Sequence, residues 1–334
     1  SALAQHLVAA DLCRRDTCLR QLEELSGGER ITDIAGLWTI DRPWQIWDFV
    51  DARKRLTDPA EAVRRVRDAV QMAVAARADA HGKIVLRLSG GLDSSIVAAC
   101  LARANRSFVA LTHVTRDRSG DEREHARSVA SHLGVPLVEA TRDPKLVDLE
   151  KSGAAGLPRP SARGFAQASA RIAHSVANEH RASVIFDGGG GDNVFGSLKS
   201  PAPVADCLRP DGGVGYFWRT ARSIGIAAHT STLDVARRGL VRSWTRSPAY
   251  RWPVDFSLLS PEACKAAAST IDHPWLVPPE SALAGSAAHV ALLAAAQSVV
   301  QNRDTRVARP DISPLIAQPV AEACLRVPSW LWTR

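Results

Sequence analysis

Two glycine-rich segments carry the residue types best suited to chemistry. The first is Leu88-Ser89-Gly90-Gly91-Leu92-Asp93-Ser94-Ser95, between a short apolar run and a helical pattern. Its glycines let the backbone pass close to an anion. The N–H groups that open the helix, with the serine hydroxyls, can cradle a phosphate at the positive end of the helix dipole. Asp93 stands where a carboxylate can hold Mg²⁺ against such phosphates. No Lys occupies the Walker-A position, so this is not a P-loop of the GxxxxGK[ST] kind. The second segment runs Phe186-Asp187-Gly188-Gly189-Gly190-Gly191-Asp192-Asn193-Val194-Phe195-Gly196. Asp192 can ligate a metal, cap a helix, or do both.

Both clusters follow apolar runs that read as strands. Ile84 to Leu88, Ser107 to Val114, Val135 to Ala140 and Ser183 to Phe186 alternate with helical patterns over Ser94–Ala104, Asp121–Leu133 and Ala162–His180. That alternation predicts βαβ units and a parallel, doubly wound α/β sheet, in which ligands bind outside the carboxyl ends of the strands. Upstream, Asp58 and Pro59 open an amphipathic helix to Ala80, with Val63, Val66, Val70 and Ala73 at helical spacing. The Ser26-Gly27-Gly28 turn and Ile31 to Ile40 read as a hairpin. Beyond residue 200 the strand pattern fades and a helical part follows, over Leu233–Val241, Pro261–Ser269, Ser286–Val300 and Val320–Leu325.

Composition bounds the rest. The 334 residues are 46% hydrophobic and 23% charged, which suits a folded chain. No apolar stretch is long enough for a membrane span, and no secretory signal opens the chain, so a cytoplasmic protein is expected. Ser1-Ala2-Leu3-Ala4 lacks Met and reads as the middle of a helix, the mark of a piece of a longer protein. Net charge is +7, with six Lys and 36 Arg. The Arg are scattered, which fits a solvated surface better than a binding face. Six cysteines without a CxxC pair read as free or buried thiols in a reducing compartment, with Cys13 and Cys18 spaced to share one helix and read chiefly as packing residues.

Ser-Gly-Gly-Leu-Asp-Ser-Ser in a strand–loop–helix setting resembles the pyrophosphate loop of the ATP pyrophosphatases, in the form of the asparagine synthetases and β-lactam synthetases. The segment Asp187 to Gly196 resembles a second stretch of the same family. The resemblance implies an adenine nucleotide α-hydrolase-like fold over 57–334. It implies that residues 1–56 are the tail of an N-terminal glutaminase-like (Ntn-hydrolase-like) domain and a linker. It implies that Leu88, Ser89, Gly90, Gly91, Leu92, Asp93, Ser94, Ser95, Leu111, Thr112, Gly188 and Gly189 surround ATP, and that Asp93 and Asp192 share Mg²⁺. Gly120-Asp121-Glu122 resembles the start of the helix after the family's second strand.

Departures narrow the reading. Gly189 stands where asparagine-forming members carry Glu and β-lactam-forming members Tyr. Asn193 replaces an acidic residue, the chain begins at Ser1 rather than at a Cys nucleophile, and it stops at Arg334, before the family's Lys-bearing C-terminal loop. Together with Ser313 to Pro319 and Leu325 to Trp332, the four glycines look most like the lasso-peptide macrolactam synthetases. That implies an ATP-dependent ligase acting on a precursor peptide. Its pathway partners would be a leader peptidase and a leader-binding protein, with neither nucleic acid nor membrane. Glu122 and Asp187 are the candidate bases; His113 and His289 are residues of a type that titrates near neutrality, though a lone His is more often structural. Arg303, Asp304, Arg306 and Arg309 are candidates for a peptide channel or a solvated face. An asparagine-forming amidotransferase, a non-catalytic ATP-binding scaffold and a tRNA-modifying pyrophosphatase are the competing readings.

Overall fold

The computed structural model describes residues 2–9, 11–114, 120–151, 154, 156–160, 166–209, 212–245, 250–257, 259–268, 273–303 and 309–333. The strands are β1 (Arg30–Ile34), β2 (Leu37–Asp41), β3 (Ile84–Arg87), β4 (Phe108–Val114), β5 (Leu137–Thr141), β6 (Val184–Phe186) and β7 (Asp311–Ile312). The helices are α1 (Ala2–Val8), α2 (Pro59–Asp79), α3 (Leu92–Arg103), α4 (Arg123–Leu133), α5 (Ala166–Glu179) and α6 (Gly191–Val194). They continue as α7 (Ala202–Asp206), α8 (Val214–Ala227), α9 (Thr232–Thr245), α10 (Pro261–Ala268), α11 (Ala284–Gln301) and α12 (Gln318–Leu325). The chain divides into two compact units. One comprises Arg67–Gly191 and Val299–Val320; the other comprises Ser1–Val66, Asp192–Ser298 and Ala321–Arg334.

The first unit is built on a five-stranded sheet in the order β5-β4-β3-β6-β7, parallel throughout. The order runs outward from β3 in both directions, so the direction of winding reverses between β3 and β6. Both glycine segments leave the sheet at that reversal, the place where such folds leave a crevice. Central strands must be apolar on both faces, and Ile84, Val85 and Leu86 are fully buried, as are Val184, Ile185 and Phe186. Val85, Leu111 and Ile185 pack against Ala173, Val176 and Ala177 of α5, which fixes one face of the sheet. Helix α4 ends as its sequence predicts, with Gly134 in the left-handed conformation (φ 65°). Strand β7 was not expected. It is two residues long, too short for any period, yet it adds to β6 through Asp311 opposite Ile185 and Ile312 opposite Phe186.

In the second unit, β1 and β2 form the expected hairpin, turned by Ala35 (φ 53°) and Gly36 (φ 86°). Two successive positive φ angles match the twist of the paired strands. Asp58 caps α2 by accepting from Ala60 N at 3.0 Å. Helices α8 and α9 pack around Phe217, Ala221, Ile224, Val235 and Ala236, with Val204, Leu283 and Trp330. Helix α8 escaped the sequence reading because Gly215 and Gly225 interrupt its pattern. Residues 11–18 are not helical, so Cys13 and Cys18 do not share a helix; all six cysteines are free.

Asp206 is the second unit's buried charge. Its carboxylate accepts from Gly285 N at the start of α11 (3.1 and 3.0 Å) and from Ser329 Oγ (2.6 Å). Burial pushes the carboxyl up to about 6, against the downward pull of those bonds and of Arg55. A carboxyl whose folded value exceeds its unfolded one, about 4, binds more protons folded than unfolded. Stability therefore falls as pH rises from about 4 to about 6, by about 2–3 kcal/mol, and stays lower above. Asp206→Asn should flatten this segment of the stability curve. Denaturant melts at pH 4.5 and 7.5 check it; an unchanged difference in Asp206→Asn would contradict the assignment.

Candidate active site

The first glycine segment forms a tight turn on the carboxyl end of β3. Leu88 N donates to Leu111 O at 2.8 Å, which anchors the turn to β4. Gly91 N donates to Ser89 Oγ (3.2 Å), Ser94 and Ser95 hydroxyls donate back to Gly91 O (3.3 and 2.8 Å), and Ser89 and Ser94 hydroxyls meet at 3.2 Å. The hydroxyls thus shape the turn and leave α3 to begin at Leu92, two residues earlier than the sequence pattern suggested. No side chain caps α3, so its opening N–H groups face the turn as a ready anion cradle. Leu92 points outward, 83% exposed.

The glycines are required by close approach. Gly90 has φ 83°, and a Cβ there would lie 2.4 Å from His125 Cβ and 2.6 Å from Ala126 N in the first turn of α4. A Cβ on Gly188 would lie 2.6 Å from Ser94 N, and one on Gly191 only 2.1 Å from Asp93 Cγ. The two glycine segments are therefore packed against each other, backbone against Asp93 and Ser94. The carboxyl ends of β3 and β6, far apart in the chain, thus lie side by side. Asp192 is the next residue after Gly191. Among the described residues no group of three or more His, Cys, Asp or Glu could hold a metal. Asp93 offers one carboxylate beside the turn, a donor that fits Mg²⁺ shared with phosphate oxygens rather than an all-protein cage.

Leu111 and Thr112 are both buried, at 0% and 2% exposure. The pairing of β3 with β4 stops at Arg87 opposite Leu111, so the β4 backbone past Leu111 is paired only on its β5 side. Glu122 is exposed at the N-cap of α4.

Asp187 has a different setting from the one expected of a base. Its Oδ1 accepts from Gly189 N (2.9 Å) and, in a short contact, from Ser313 Oγ; its Oδ2 pairs with Arg303 Nη2 (2.9 Å) and Arg87 Nη1 (3.5 Å). Arg303 also donates to Ser313 Oγ (2.6 Å) and to Asp311 O (2.7 Å), and Arg87 pairs with Asp311 at 3.1 Å. This network ties the ends of β3, β6 and β7 together beneath the second glycine segment. A Cβ on Gly189 would fall 2.7 Å from Ser313 Oγ and 2.9 Å from Asp187 Oδ1. The space for a side chain at 189 is already filled. Arg303 and Arg309, candidates for a peptide channel or a solvated face, instead brace the sheet, Arg309 Nε donating to Ala182 O at 2.7 Å. Asp304 and Arg306 lie outside the described residues. Arg303→Ala should cost about 2 kcal/mol, because it strands a half-buried carboxylate beside one remaining cation. Urea melts check this, and unchanged stability would show the network to be incidental.

The two histidines do not titrate near neutrality. Burial, with the charges of Arg87 and Arg142, lowers His113 to about 4. Burial also lowers His289 to about 4, although its Nε2 lies 2.8 Å from Val194 O. Both are neutral rings at physiological pH. Arg87, Asp311 and Ser313 were absent from the sequence reading, since nothing local links residues brought together only by the sheet.

Over 80 residues the chain is 42% identical to carboxyethyl-arginine beta-lactam-synthase of Streptomyces clavuligerus; that stretch is 24% of this chain and 15% of the relative. Residues 65–252, more than half of the chain and including both glycine segments, match the asparagine synthase family. The sheet order, the turn on β3 and this match agree, and the chain belongs to the asparagine synthase family.

Proposed function

We propose that this protein is an ATP-dependent, amide-forming ligase that activates a side-chain carboxylate of a precursor peptide and closes a macrolactam with the peptide's N-terminal amine. The observation that carries it is the interlocked pair of glycine segments, which sets a phosphate cradle, Asp93 and the start of Asp192's helix at the reversal of a parallel sheet. A relative named as a beta-lactam synthase supports lactam-forming chemistry.

A carboxylate is a poor acyl donor. Its oxygen attacks the α-phosphorus of ATP, pyrophosphate leaves, and the acyl group becomes the adenylate. The amine then attacks the acyl carbon, AMP departs with the former carboxylate oxygen, and one proton is released. The N–H groups of the turn and of the α3 start stabilise the charge on the departing pyrophosphate, in the manner of a preorganised anion hole. Asp93 and Asp192 would hold Mg²⁺, which would supply further charge neutralisation there. Ser89, Ser94 and Ser95 keep the turn in shape. Thr112 and the unpaired edge of β4 lie where the adenine ring is expected. Asp187, with its oxygens occupied by donors, positions the glycine segment, and exposed Glu122 keeps the role of candidate base. Gly189, closed by Ser313, leaves no side chain to steer ammonia, which supports a peptide amine as nucleophile. Ring closure on a threaded chain would draw mostly on orientation.

The test uses the full-length protein with ATP, Mg²⁺ and a processed peptide bearing a free N-terminus. The expected product is lighter than the peptide by one water, with one AMP and one pyrophosphate per ring. Asparagine formed from aspartate would favour the amidotransferase, and no acceptor-dependent pyrophosphate release would favour a scaffold.

A further inference from the structure

The hairpin of α8 and α9 in the second unit has an unusual outward face. Between Gly212 and Thr245 the chain carries five Arg and a single acidic residue, Asp234. That one carboxylate serves Arg237 and Arg238, at 3.1 and 2.7 Å. Arg219 and Arg222 have no carboxylate partner among the described residues, and the Arg219 guanidinium lies over the Tyr216 ring at 5.6 Å. The same hairpin exposes large apolar side chains: Trp218 is 47% exposed, Leu233 70% and Trp244 82%. Such side chains belong inside unless something covers them. Beneath the face, Phe217, Ala221, Ile224, Val235 and Ala236 pack both helices into one buried cluster. At the end of α9 a cavity of about 380 Å³ opens beside Trp244, its wall mixing Leu208, Leu240 and Leu283 with Asp206, Arg209 and Arg242.

We propose that the outward face of the α8–α9 hairpin docks an acidic, amphipathic peptide segment, one apolar side chain of which enters the cavity beside Trp244. Arginine supplies the charge complement and planar donors for carboxylates. Aromatic and Arg side chains together are the usual anchors of protein recognition. A concave pocket whose wall mixes leucines with Arg209, Arg242 and Ser243 suits a single side chain of an amphipathic peptide. The inference is separate from the adenylation reading, since it is read by binding in the absence of ATP.

The probe is a fluorescein-labelled dodecapeptide of alternating Glu and Leu or Phe, with a second peptide in which Lys replaces every Glu. Anisotropy on the whole chain should show the acidic peptide binding at least tenfold tighter than the basic one, weakening as salt rises. Arg219→Glu with Arg222→Glu should lower that affinity at least tenfold, and Trp244→Ala severalfold. Thermal melts confirm that these surface variants remain folded, and the Gln double variant should fall between. Equal binding of the two peptides, no binding of the acidic one, or unchanged affinity in the Arg variants would overturn the proposal. So would tighter, Arg219- and Arg222-dependent binding of duplex DNA or phosphatidylserine vesicles.

Discussion

Asp93→Ala and Asp192→Ala are each expected to reduce acceptor-dependent pyrophosphate release by at least about a hundredfold, the scale at which a preorganised electrostatic element is lost. The expectation follows from position. Asp93 lies in the first turn of α3 with the backbone of Gly191 against its carboxylate, and Asp192 follows Gly191 directly. Neither carboxylate belongs to a larger protein cage among the described residues, so nothing else would take its place. Pyrophosphate assays on folded variants, with melting curves beside them, check this. Near wild-type turnover in either variant would remove that residue from the metal site.

Gly191→Ala and Gly188→Ala should separate activity from stability. The Cβ at 191 would lie 2.1–2.5 Å from the three carboxylate atoms of Asp93, the mobile end of a short side chain. Asp93 can rotate away, so Gly191→Ala should keep most of its stability yet lose at least about tenfold in pyrophosphate release, because a carboxylate displaced by about 1 Å no longer meets its target. The Cβ at 188 meets main chain instead, Ser94 N at 2.6 Å and Asp93 C at 2.9 Å. Backbone cannot step aside cheaply, so Gly188→Ala should lose both activity and stability, the latter by about 1–3 kcal/mol. Parallel urea melts and assays distinguish the two patterns. Equal effects of both variants on stability would contradict the packing described.

The parallel sheet and its crevice were legible because β3, β4 and β6 are buried on both faces, and continuous apolar runs between helical patterns say so directly. The turn on β3 was legible because its serines and glycines act within eight residues. What escaped was non-local. Strand β7 is two residues after Pro310, with nothing to repeat. Arg303 read as a surface residue on a helical stretch, yet it crosses to Asp187, and only the sheet brings Ser313 to the same carboxylate. His113 and His289 have ordinary sequence neighbours; their depressed values come from burial, which no single position reveals.

The central claim is that a substrate carboxylate is joined to the α-phosphorus of ATP at the turn on β3. It is tested most directly by labelling that carboxylate with heavy oxygen and following the label by mass spectrometry through one turnover. The account predicts one labelled oxygen in the phosphate of AMP, with unlabelled pyrophosphate. Label in inorganic phosphate, with ADP as the nucleotide product, would contradict it.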